Sequence, residues 1–236
     1  MMSRKRRNTV LALLCVLFAA PNVHAQQDDG DETGETLYFR EQTGDEVVYL
    51  ESSEEPAGSG LLLRSESDRG DVHEVRVDGD LHTRQWHYVS RENRIDYIAR
   101  LRGDEIVIEG MNEGEAVDER RELRDDDPWI QSIEKSLEAF VLSDNDRMEF
   151  WTIQPDNLSL RKLLARRSGP ETIEVDGESV EAWRVRIRLP GVGSVFWGAK
   201  YWYRTSDGQF VRYEGTRGPP GTPETVVEKI DRSEYR

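Results

Sequence analysis

The sequence predicts a mainly β protein, a single curved antiparallel sheet forming an open half-barrel around one principal α-helix. Three observations carry this expectation. From Thr36 onward, short segments alternate apolar and polar residues with period two. Gly, Asp and Asn turns separate these segments at intervals of roughly ten residues. Only one stretch, 128–142, repeats its apolar residues at helical spacing. The chain is polar, 36% hydrophobic and 33% charged, but its 6 Trp, 8 Tyr and 6 Phe are enough to build a modest core.

Residues 1–25 read as a cleavable signal peptide. Arg4, Lys5, Arg6 and Arg7 form the basic start, an apolar stretch runs from Val10 to Ala20, and Val23-His24-Ala25 suits signal peptidase. That stretch is well short of the ~20 residues a helix needs to cross a bilayer. Cys15, the only cysteine, falls inside it, so the mature chain has no disulfide, thiolate metal site or thiol nucleophile. Residues 26–35, QQDDGDETGE, contain no hydrophobe and read as a disordered acidic leader. Asp29, Asp31, Thr33 and Gly34 imitate the start of a calcium loop, but Arg40 stands where a bidentate Glu would close it. Residues 36–236 are then expected to be one β-rich domain in the periplasm. Four of the 32 basic residues lie in the signal, which leaves 28 against 47 acids and a net charge near −19. Such a chain repels nucleic acid and anionic membrane surfaces.

Val47, Tyr49 and Leu61–Leu63 mark the early strands, with a loop expected over Ser52–Gly60. Val72–Val77 and Leu81–Val89 should pair across a tight Asp78-Gly79 turn with positive φ. Ile95, Tyr97, Ala99 and Leu101 share one strand face, and Gly103-Asp104 turns the chain into Ile106–Ile108. The helix should begin at Asp127-Pro128, an acidic cap followed by proline, and bury Ile130, Ile133, Leu137, Phe140 and Val141. Leu158–Arg167 fits helix and strand equally well. Thr172–Val175 and Val180–Leu189 form a hairpin across Asp176-Gly177, with Trp183, Val185, Ile187 and Leu189 facing inward and Arg184, Arg186 and Arg188 outward. Trp197–Tyr203 pairs with Phe210–Tyr213, a loop runs through Pro219-Pro220, and Thr225–Ile230 is the last strand. The total comes to nine to eleven strands.

Several of these segments carry a family resemblance: the helix opening with Asp-Pro, Gly169–Val175, Val180–Val185, Tyr201-Trp202-Tyr203 and Asp207–Arg212. In their order they resemble a bacterial family of exported proteins of unknown function, similar in outline to the outer-membrane lipoprotein carriers. The resemblance spans about residues 45–230. It implies a curved sheet around helices with an apolar groove. The chain departs from those carriers in being far more acidic and in having one clear helix.

No catalytic constellation emerges. There is no Gly-x-Ser-x-Gly elbow, phosphate-cradling glycine loop or His-Glu-x-x-His helix, and 47 acids make any single carboxylate pair uninformative. His82 and His87 fall on opposite strand faces, while His73 lies within reach of either across the hairpin; no metal or cofactor is expected. The row of Arg184, Arg186 and Arg188 reads as cross-strand partners for acids on a solvated face. The aromatics on neighbouring strands, chiefly Trp86, Trp183 and Tyr201, together with Leu137 and Phe140 of the helix, are the expected wall of a groove. The leading expectation is a non-enzymatic periplasmic protein that holds an apolar ligand, a lipid, acyl chain or lipidated partner, between sheet and helix. The second is an envelope assembly factor acting through contacts with another envelope protein. A hydrolase is the third.

Overall fold

The computed structural model describes residues 36–191, 198–216 and 222–235. The signal peptide, the acidic leader, Phe196-Trp197 and the Pro219-Pro220 loop lie outside them. Fourteen strands form one antiparallel sheet. The first eight are β1 (Leu37–Thr43), β2 (Glu46–Ala57), β3 (Gly60–Ser67), β4 (Asp71–Val77), β5 (Thr83–Ser90), β6 (Ile95–Arg102), β7 (Glu105–Asn112) and β8 (Glu115–Glu122). After a crossing segment come β9 (Arg147–Ile153), β10 (Leu160–Val175), β11 (Glu178–Arg188), β12 (Gly198–Arg204), β13 (Phe210–Thr216) and β14 (Glu224–Ile230). Their spatial order is β8-β7-β6-β5-β4-β3-β2-β1-β14-β13-β12-β11-β10-β9. The chain thus begins mid-sheet, winds outward to β8, crosses the concave face, enters at the opposite edge as β9 and returns until β14 pairs with β1. Because β8 and β9 do not pair, the sheet is an open half-barrel.

Fourteen strands exceed the nine to eleven read from alternation. The supposed Ser52–Gly60 loop is largely strand: β2 continues to Ala57 and turns only at Gly58-Ser59. Its residues Ser52 and Glu54 face inward but are polar, so the pattern is silent there. β8, of sequence EAVDERRE, has mostly exposed charged side chains and is a strand because all eight residues pair with β7 across the Glu113-Gly114 turn. Of Leu158–Arg167, the part from Leu160 onward resolves as strand, since β10 pairs with both β9 and β11, while Leu158 lies in the preceding turn with positive φ. The Asp78-Gly79 pair does not make a two-residue turn. A five-residue loop replaces it, Asp78 Oδ1 accepts from the Asp80 and His82 amides, and the positive φ falls on Leu81. At Asp176-Gly177 both residues have positive φ, as the tight turn requires.

The helix also differs from expectation. Asp127-Pro128 does not start it. Residues 128–130 run extended beside β9, where the Trp151 amide donates to the Pro128 carbonyl and the Ile130 amide to the Trp151 carbonyl, both at 2.8 Å. An otherwise open strand edge thereby gains partners, which outweighs capping. Asp125 is meanwhile held by Trp151 Nε1 and Lys162. Helix forms only after Ser132, as α1 (Ile133–Ser136) and α2 (Glu138–Leu142) with Leu137 between them.

Two apolar clusters fill the concave side. One joins Ile133, Leu137, Phe140 and Val141 to Val185, Ile187, Tyr201, Tyr213, Phe39 and Leu50, with Trp183 and Leu189 packed against it. The other gathers Leu63, Val75, Trp86, Tyr97, Ile106 and Ile108 around Trp129, Ile153 and Leu158. A third, smaller cluster of Val175, Ala182, Trp202 and Val211 lies on the convex side. Trp202 is therefore the ring that the consecutive aromatics of β12 turn outward, and Glu171 accepts from its Nε1 at 2.7 Å.

Candidate functional site

The concave wall and the segment crossing it are the candidate site. That segment is tied to the sheet at many points. On one flank the Thr83 amide donates to the Trp129 carbonyl, the Gln131 amide to Thr83 Oγ1, and Ser136 Oγ to the Leu81 carbonyl. On the other, Gln131 Nε2 donates to the Ile153 carbonyl while its Oε1 accepts from the Ile153 amide, and Tyr203 Oη donates to the Ile133 carbonyl. Arg167 donates to the Val141 and Ser143 carbonyls at the end of α2 and stacks on Trp183 at 4.9 Å. A cation at a helix C-terminus complements the carbonyls left over there.

One charged group inside the wall was not foreseen. Lys135 Nζ lies 3.0 Å from Glu54 of β2 and 2.9 Å from Glu138 of α2, with all three side chains buried. Burial pushes the Glu138 carboxyl up to about 8, against the pull of Lys135 and with the repulsion of Glu54 and Asp207. A helical-spacing pattern hides such a group, because it assigns Glu134, Lys135 and Glu138 to the solvent side.

Of the five residues expected to line a groove, four meet in one cluster: Leu137, Phe140, Tyr201 and, less buried, Trp183. Trp86 belongs to the other cluster. Trp86, Leu137 and Tyr201 are each 0% exposed, so in this conformation the chain's own side chains fill the space between sheet and helix. The described residues contain a depression of about 440 Å³ on the opposite, convex face, lined by Glu51, Arg64, Glu66, Asp68 and Tyr235 among others.

The two clusters divide between β2 and β3, and there the wall is polar. Ser52, Ser65, His73 and Tyr88 are successive cross-strand neighbours on β2, β3, β4 and β5. The His73 ring stacks on Tyr88 at 4.2 Å and on Trp86 at 5.8 Å. Trp86 Nε1 donates to His73 Nδ1 at 3.1 Å. Burial pushes the imidazole down to about 3, so it is neutral, and with Nδ1 accepting, its proton is on Nε2. Among the described residues, His73 Nε2, Ser52 Oγ and Ser65 Oγ are buried without a hydrogen-bond partner.

The other histidines are elsewhere. His87 faces outward beside Asp96 and Glu74. His82 lies near Asp78 and Asp80, but Arg84 already neutralises Asp78 at 2.6 Å. In the arginine row, Arg186 is exposed and Arg184 pairs with Glu171 at 3.1 Å. No helix among the described residues is long and apolar enough to cross a membrane.

No family model matches the chain, and no curated protein matches it. Among solved structures, the β-barrel-like protein of a domain of unknown function, DUF1849, from Brucella abortus is similar at a TM-score of 0.53 and 6% identity, over 84% of this chain and 96% of that one. The hypothetical lipoprotein YmcC from Escherichia coli aligns at a TM-score of 0.41 and 11% identity, over 83% of each chain. The chain shares its β-barrel-like fold with the Brucella protein.

Proposed function

We propose that the chain is a non-enzymatic protein of the bacterial periplasm that takes an apolar ligand, a lipid or acyl chain, between the concave wall and the crossing segment. The observation that carries this reading is the division of labour on the wall. Fourteen strands present two extended apolar clusters to a cover containing only nine helical residues. A ligand lying between cover and sheet meets Leu137 and Phe140 on the cover and Trp183 and Tyr201 on the sheet. Trp86 then stands on the far side of the polar seam. The signal-like start at residues 1–25 supports the location. Native mass spectrometry of protein purified from a bacterial periplasm should show a co-purified apolar molecule, and the protein should take up a fluorescent fatty acid. Repeated ligand-free spectra with no uptake reject this function.

An envelope assembly factor is the second reading. It is favoured by β8, whose outer main-chain groups have no sheet partner among the described residues and so offer strand addition. Crosslinking from β8 in cells should capture one specific envelope protein; capture of none rejects it.

A further inference from the structure

We infer that Ser52, Ser65 and His73 form a hydrogen-bond donor site for a neutral carbonyl oxygen, such as that of an acyl ester, carried by an apolar ligand. The inference rests on the ligand-binding reading above and names the ligand's polar end.

The geometry supplies three donors in one place. Ser52 and Ser65 are directly opposed on β2 and β3, and Ser65 and His73 are directly opposed on β3 and β4. Neighbours of this kind on one face have Cβ atoms about 4.5–5.5 Å apart, so one oxygen can meet more than one of them. Each residue is 1% exposed. The orientation of His73 is fixed by stacking on Tyr88 and by the bond from Trp86, which leaves Nε2 as an N–H donor. Nearby serines are occupied differently. Ser67 Oγ accepts from the Arg69 and Asp71 amides, and Ser90 Oγ accepts from Asn93. The donor row is therefore distinct from the serines that stabilise turns. A buried donor left without an acceptor is costly to the fold, and three in register on adjacent strands are explained by an acceptor that arrives with a ligand.

The chemistry selects a neutral oxygen. Among the described residues the one buried ammonium, Lys135, is held by Glu54 and Glu138. A ligand carboxylate is therefore desolvated at the row without a counter-ion, a cost that a neutral ester carbonyl does not carry.

The test uses the mature chain and two probes of similar size, methyl decanoate and tridecane, each competing with a fluorescent fatty acid, alongside thermal unfolding without ligand. The wild type should prefer the ester. The double variant Ser65→Ala/His73→Phe should lose that preference by about tenfold while binding tridecane as before. Ser52→Ala and Ser65→Ala should each raise Tm in the absence of ligand, because each removes an idle buried donor. If the fatty acid binds but ester and hydrocarbon compete equally in wild type and variant, the donor site is refuted and the ligand-binding reading stands. A lower Tm in both single variants refutes it as well, since the hydroxyls are then spent on the fold. If no probe binds the wild type, the ligand-binding reading fails and the donor site with it.

Discussion

Ile187 on β11 is fully buried, with Ala165 of β10 and Ala199 of β12 as its cross-strand neighbours. Those two small residues leave it the space to reach the cluster containing Ile133, Leu137 and Phe140. Truncation of Ile187 to Ala should cost about 2–5 kcal/mol, through lost transfer energy plus the cavity left behind. Arg186, the adjacent residue, is exposed, and its replacement by Ala should change stability by no more than about 0.5 kcal/mol. Urea unfolding of the two variants checks the pair. A large loss at Arg186 with little at Ile187 would mean that the strand faces are reversed.

At the scale of elements, the crossing segment is held by more than apolar packing. Lys135 serves two buried carboxyl groups at once, and Glu138 keeps its proton up to about 8. In the unfolded chain that carboxyl titrates near its ordinary value of 4.5. Between 4.5 and 8 the folded state therefore binds a proton that the unfolded state has released, so stability falls as pH rises through this window. The slope due to this residue is at most about 1.4 kcal/mol per pH unit. Urea midpoints measured from pH 5 to pH 8 should decline in the wild type and decline less in Glu138→Gln. Equal slopes in the two proteins would show that Glu138 is ionised throughout the window.

On the scale of the whole molecule, the strand order makes stability uneven. β1 and β14 are central, each paired on both sides, while β8 has one partner and mostly exposed side chains. β9 is also an edge strand, but Pro128–Ile130 covers part of it. Hydrogen exchange should then be fastest in β8, intermediate in β9 and slowest in β1 and β14, because edge amides open without breaking the core. Comparable protection in β8 and β1 would indicate that another chain covers the β8 edge.

The sequence by itself determined the period-two strands, the face each buries and the Asp176-Gly177 turn. These follow from local rules: alternation across a pleat, and positive φ at a tight turn. Val185 and Ile187 declare their inward face because their immediate neighbours, Arg184, Arg186 and Arg188, are polar. Tertiary structure alone decided the rest. β8 is a strand only because β7 lies beside it, and Pro128–Ile130 is extended only because β9 offers an edge. Glu54 of β2 meets Lys135 and Glu138 from a segment far away in sequence, so no window of residues reveals that the three are buried. The candidate site was legible in part. Leu137, Phe140, Trp183 and Tyr201 carry the apolar signal that places them together, whereas Ser52 falls in the expected Ser52–Gly60 loop and Ser65 carries no apolar signal, until strand register sets both beside His73. Apolar periodicity reports what water drives inward. It does not report which polar groups the closing sheet encloses.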